Sequence, residues 1–213
     1  VNSTNEDQNG SLGFFFKKDN KLFFCSNMHV LLKGYIIGKG SFYSKSSSSA
    51  KISASVSKGN RTIRGWVKRA RYTSLLDFGY AQVIESDVNM ASNYIPKLNQ
   101  VNCDYTDASH VAFKNENVLV NGALNTSESQ IERTSVILEF NYSHMALDGR
   151  RIRFKQTFTD VGRLKRKITE KGDSGAPVIM NGKRLIGLVI GSTPSSTYYL
   201  NIKHIMKHLN YPL

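Results

Sequence analysis

The chain has 213 residues, a formal net charge of +13 and a sequence pI near 9.8. That length buries a full core and suits one domain or two small barrels of about 100 residues each, while the charge admits an acidic partner such as nucleic acid. Cys25 and Cys103 are too few for a disulfide framework and lack C-x-x-C spacing, which excludes a stapled module or a zinc ribbon and favours a reducing compartment such as a cytoplasm. No apolar run approaches the about 18 residues of a membrane span.

Short strand-like runs fill the first half: "LGFFFKK", "LFFCSNM", "VLLKGYIIG", "AKISASV", "TIRGWVKR" and "FGYAQVI". The Ser-rich stretch "SFYSKSSSSAKIS" between them reads as a surface hairpin. Next comes "SDVNMASNYIPKLNQVNCDYTDAS", which has little strand pattern and contains Pro96. It predicts a linker over 96–115 between an N-terminal unit, 1–95, and a C-terminal unit, 116–213. The second half continues with "HVAFKN", "NVLVNG", "TSVILEF", "RRIRFKQTF", "APVIM", "RLIGLVIG" and "TYYLNI". Apolar residues in these runs alternate or come about five together, at the close spacing of an all-β sandwich or barrel. Helical periodicity occurs once, where Ile202, Ile205, Met206 and Leu209 predict a short C-terminal helix ahead of Pro212.

One motif carries chemistry. Gly172-Asp173-Ser174-Gly175 precedes Ala-Pro and an apolar run. A serine hydroxyl is a weak nucleophile, so it needs a base, and the base needs an orienting acid. His29 follows the apolar run "LFFCSNM" and Asp77 heads the run "DFGYAQV". The three lie far apart in sequence and must meet by folding. Asp77 is favoured over Asp87, Asp104 and Asp107 by its place before a strand.

With "SLGFFF", "SNMHVL", "LLDFGYA" and "GDSGAPVIMNGKRLIGLVIG", most of the chain resembles the chymotrypsin-like (trypsin-like) serine peptidases. The order His, Asp, Ser is the order of that family. An Ile-Val-Gly-Gly start and the cysteines that flank the catalytic His of the digestive branch are absent, and "TEKGDSG" fits T-x-x-G-x-S-G. The resemblance is therefore closer to disulfide-poor bacterial and viral members. It implies two antiparallel six-stranded β-barrels, with Ser174 as nucleophile, His29 as general base and then acid, and Asp77 fixing the imidazole tautomer. The backbone N–H groups of Gly172 and Ser174 would form the oxyanion hole, and Asp173 would hold the loop from beneath. The implied activity is that of a serine endopeptidase acting on a protein or polyprotein substrate, with no cofactor.

Pocket walls are expected from Ile168, Thr169, Val189, Ile190 and Gly191. Ile168 stands where trypsin carries its pocket carboxylate, and Val189 where Gly-x-His relatives carry a histidine. The pocket therefore lacks a charge to match a basic or acidic side chain.

Other classes are weaker. The clusters "KGNRTIRGWVKRARY", "DGRRIRFK" and "RLKRK", with Trp66 and Tyr72 interleaved, would suit single-stranded nucleic acid, although a solvated strand face is favoured. His204 and His208 are four residues apart but lack H-E-x-x-H and a third ligand, so they read as exposed helix histidines and no metal site is expected. A catalytically silent domain of the same fold, used for binding, is the remaining alternative.

Overall fold

A computed structural model describes residues 2–3, 6–44, 53–58, 61–91, 104–105, 113–123 and 126–210. The first unit contributes β1 (Asn2–Ser3), β2 (Glu6–Asn9), β3 (Phe15–Lys18), β4 (Lys21–Ser26), β5 (Phe42–Ser44), β6 (Ser53–Lys58), β7 (Arg61–Tyr72) and β8 (Asp77–Val83). They form one antiparallel sheet in the order β2-β1-β6-β7-β8-β4-β3, with β5 also paired to β7. The second unit holds β9 (Asp104–Tyr105), β10 (Asn117–Asn121), β11 (Thr126–Met145), β12 (Arg151–Leu164), β13 (Pro177–Met180), β14 (Arg184–Ser192) and β15 (Thr197–Asn201). Its order is β13-β10-β11-β12-β15-β14, and β13 pairs with β14 to close the ring, while β9 adds to β14 in parallel. Setting aside the β1–β2 hairpin and β9, each unit has the six strands expected. The chain is a double antiparallel β structure with the short C-terminal helix α2 (Ile202–Leu209).

Strand placement follows side-chain alternation. β7 turns Ile63 and Val67 inward and Arg64 outward; past a bulge between Val67 and Arg69 it turns Ala70 and Tyr72 inward and Arg69 and Arg71 outward. The run on β14 is apolar throughout because both faces are covered. Ile186 and Val189 join the second barrel's core with Val118, Ile131 and Tyr199, while Leu185 and Leu188 face α2. Helix α2 packs Ile202, Ile205, Met206 and Leu209 between those leucines and Cys25 and Phe78 of the first unit. Each such burial contributes about 1.5–3 kcal/mol, and the Lys18 ammonium donates to the Leu209 carbonyl (2.9 Å) beside it. The helix ends at Asn210, whose left-handed conformation (φ 60°) returns its N–H to the Lys207 carbonyl.

The expected strand over 30–38 does not form. Its chain makes a one-turn helix, α1 (Met28–Leu31), and a 3₁₀ turn at Lys33–Tyr35. Val30, Leu31, Leu32 and Ile36 are all buried, so apolar side chains occur on every side and imitate a buried strand. Likewise β5 and β6 pair with β7 and not with each other; residues 45–52 between them lie outside the described residues. Of the expected linker, only 104–105 and 113–115 are described; Cys103 lies outside, and Phe113 opens a turn and not a strand.

β11 and β12 are longer than their barrel needs. Beyond Leu138↔Phe158 they continue as a two-stranded arm to Met145↔Arg151. The arm lies over the first unit, where the Leu147 N–H faces the Gly34 carbonyl (3.4 Å).

Candidate active site

His29 is the second residue of α1 and Asp77 the first of β8. The His29 N–H donates to Asp77 Oδ1 (3.1 Å), and His29 Nδ1 makes a close contact with Asp77 Oδ2. Helix and strand start are thus tied twice. The Asp77 side chain is 2% exposed and the imidazole 20% exposed. The carboxylate is inside the protein and the ring at its surface, and among the described residues no hydrogen bond engages Nε2. A buried carboxylate on Nδ1 selects the tautomer whose Nε2 carries the lone pair and can accept a proton.

Ser174 sits half-buried in a turn of the second unit. The Asp173 N–H donates to the Glu170 carbonyl (3.1 Å), that of Ala176 to Asp173 (2.9 Å), and that of Gly175 to Val189 (2.8 Å). The Asp173 side chain is buried and accepts from the N–H groups of Glu170 (2.9 Å) and Ala123 (3.1 Å), so its carboxylate supports the loop from below. Gly172 (φ 107°) and Gly175 (φ 91°) hold conformations that side-chain-bearing residues avoid. Neither the Gly172 nor the Ser174 N–H donates a backbone hydrogen bond to a described residue, which leaves both available to a ligand.

The two halves meet through short polar links. The Ser11 N–H donates to the Ser174 carbonyl (2.8 Å), Ser11 Oγ to the Gly172 carbonyl (3.0 Å), and Ser26 Oγ to the Ser11 carbonyl (2.8 Å). Asn27, at the N-terminus of α1 and fully buried, donates Nδ2 to the Val189 carbonyl (2.8 Å). A Cβ on Gly10 would lie 2.5 Å from Val30 and 3.0 Å from the Ser174 carbonyl. His29's helix and Ser174's turn are therefore fixed against one short segment. Among the described residues no hydrogen bond joins Ser174 Oγ to His29, a bond that tightens only when substrate is bound in many such sites.

Ser11, Ser26 and Asn27 were not legible as site supports, because Ser11 and Asn27 find their partners 161 and 162 residues away and Ser26 acts through Ser11. The one signal was Ser26-Asn27 inside an otherwise apolar run. Of the expected pocket walls, Val189 is buried in the second barrel's core, Ile168 packs half-buried against the same cluster, and Ile190 joins the cluster shared with the first unit. Thr169 Oγ1 and the Ile168 N–H both reach Thr197 Oγ1 (3.0 Å each), and Gly191 stands half-buried after the β14 bulge.

Tyr72 is wholly buried and cannot stack on a base, and Arg64 is engaged by Asp87 through Nε and Nη2 (3.0 Å each). The helix histidines are less exposed than expected: His204 Nε2 binds Asp160 (2.8 Å), while His208 lies edge-on to Phe78. Among the described residues no group of three or more His, Cys, Asp or Glu is placed to hold a metal. No described helix is long and apolar enough to cross a membrane.

No family model and no curated protein matches the sequence. Solved structures do. Thermobifida fusca protease A superposes with a TM-score of 0.57 at 16% identity, covering 98% of this chain and 94% of its own. Deg5 gives 0.55 at 10% identity over 97% and 83%, and the chymotrypsin of Cellulomonas bogoriensis 0.52 at 14% over 95% and 93%. The chain has the chymotrypsin-like fold. In chymotrypsin-like terms, the N-terminal barrel carries His29 and Asp77 and the C-terminal barrel carries Ser174. The structures it resembles are serine proteases by description, and at these identities the likeness is one of fold.

Proposed function

We propose that the protein is a serine endopeptidase. The observation that carries the reading is the His29–Asp77 pair, with its buried carboxylate on Nδ1 and no hydrogen bond from a described residue on Nε2. Ser174, in a turn where the Gly172 and Ser174 N–H groups donate to no described backbone carbonyl, is tied to the same segment. Ser174 Oγ attacks the scissile carbonyl carbon while His29 Nε2 takes the hydroxyl proton. The carbonyl oxygen becomes an oxyanion and accepts from the N–H groups of Gly172 and Ser174. His29 then gives its proton to the departing amine, and the C–N bond breaks to leave an ester on Ser174. Water, deprotonated by His29, attacks that ester and a second oxyanion forms; its collapse returns the proton to Ser174 and releases the acid.

The substrate is read as a protein or polyprotein segment, entered through a pocket of small and apolar walls at Ile168, Thr169, Val189, Ile190 and Gly191. The working division is an N-terminal barrel over 1–95, a linker over 96–115 and a C-terminal barrel over 116–213. A fluorophosphonate probe tests the chemistry. Folded protein should be labelled and Ser174→Ala should not; absence of Ser174-dependent labelling in folded protein would overturn the reading. Cleavage profiling should return small or apolar residues before the scissile bond, and strict selection of Lys, Arg or Glu there would remove the pocket assignment.

A further inference from the structure

Asp77 is the first residue of its strand, so its position depends on the turn before it. That turn, Thr73–Leu76, is closed by the Thr73 N–H on the Leu76 carbonyl (2.7 Å), and Ser74 and Leu75 are exposed. The Leu75 N–H also donates to Thr73 Oγ1 (3.2 Å), but an exposed turn held only by local bonds frays readily. Here its two outward carbonyls are occupied by the opposite barrel. Gln156 Nε2 donates to the Thr73 carbonyl (3.1 Å), and the Thr159 N–H donates to the Ser74 carbonyl (2.8 Å). Both donors belong to β12, at the base of the arm.

Gln156 is fully buried, and its amide also donates to the Thr157 carbonyl (3.1 Å). Around the turn the arm is aromatic: Tyr72, which pairs with Asp77 across the β7–β8 ladder, meets Tyr142, Phe154 and Phe158 at 5.5–6.1 Å between centroids. A buried primary amide in such surroundings is costly unless its hydrogens are used. This one spends a hydrogen on the turn that delivers Asp77. The same strand runs on to Leu164 and into the loop that presents Ser174.

We propose that Gln156 is a positioning residue for the triad: from the second barrel it fixes the Thr73–Leu76 turn and so sets Asp77 against His29. The proposal rests on the endopeptidase reading for its effect on turnover, but its structural half does not. Displacing a catalytic constellation by about 1 Å costs on the order of 100-fold in rate. Gln156→Met keeps the volume and removes the donor.

The test is steady-state kinetics together with proton NMR of the His29 Nδ1–H. The variant should lose about 10- to 100-fold in kcat with KM little changed. With Asp77 held less firmly against His29, the Nδ1–H resonance should move upfield or exchange faster. Gln156→Asn, which retains a buried amide but is one methylene short of Thr73, should behave alike and serves if the Met variant does not fold. An unmoved resonance, or a kcat loss that matches the unfolded fraction, would overturn the proposal. If the wild-type protein shows no Ser174-dependent activity, the enzymatic reading fails, and the resonance alone still decides whether Gln156 holds Asp77 on His29.

Discussion

Gly172 and Gly175 flank the same dipeptide and both hold positive φ, yet alanine should affect them very differently. At Gly175 (φ 91°) a Cβ would lie 2.2 Å from Ser26 Oγ and 2.6 Å from the Ser11 carbonyl oxygen. The hydroxyl can rotate away, but it then abandons the Ser11 carbonyl and leaves a buried pair unsatisfied, which costs about 1–3 kcal/mol. The carbonyl is backbone and cannot move alone. Adding the backbone strain of about 1–3 kcal/mol, Gly175→Ala should destabilise by about 2–6 kcal/mol. At about 2–4 °C per kcal/mol for a chain of this size, thermal unfolding should fall by on the order of 10 °C. At Gly172 (φ 107°) a Cβ meets nothing within 4 Å, so only the strain remains, about 1–3 kcal/mol. That variant should stay folded yet lose roughly 100- to 1,000-fold in acylation through a misdirected oxyanion donor. The assay is thermal unfolding by circular dichroism beside the rate of fluorophosphonate labelling. Equal melting temperatures for the two variants would refute the contact argument, and an unimpaired labelling rate in Gly172→Ala would refute its place in the oxyanion hole.

Burial, with Arg69, Arg71 and Lys18 nearby, pushes the His208 pKa down to about 4. The unfolded chain therefore binds the extra proton between about 6.5 and 4, and stability falls as pH drops through that window; in urea titrations His208→Phe should flatten this slope, and an unchanged slope would exclude His208 as its source. Burial raises the Asp160 carboxyl, but hydrogen bonds from Lys203, Ser135 and His204 outweigh it and hold the group below its ordinary value. Its contribution is present above the unfolded carboxylate range and fades as pH falls through the folded value. Because the site is partly solvated and screened, Asp160→Asn should cost only about 1 kcal/mol, a few degrees in unfolding temperature near neutral pH, and nothing in strong acid; an equal loss at both pH values would count against the ion pairs.

The strands were legible where one face is wet and the other dry, as on β7, and where a run is enclosed on both sides, as on β14. Helix α2 was legible because four apolar residues at helical spacing meet one apolar groove. Helix α1 was not, since a single turn is too short to display a period. Ser174 and His29 could be read from local motif and order, and Asp77 from its place at the head of a strand. The supports could not. Gln156 meets Thr73 across 83 residues of sequence and Ser11 meets Gly172 across 161, and a single sequence carries no mark of such pairings. The histidines of α2 were misjudged for the same reason: Asp160 and Phe78, which cover them, come from remote strands.

The wedge formed by α2 bears on both units. The helix follows every described strand in the chain, yet it packs between Cys25 and Phe78 on one side and Leu185 and Leu188 on the other. Until it docks, those surfaces lack their common filler. A first unit without α2 would leave Cys25 and Phe78 uncovered, so a change on the apolar side of this one helix is felt by both units.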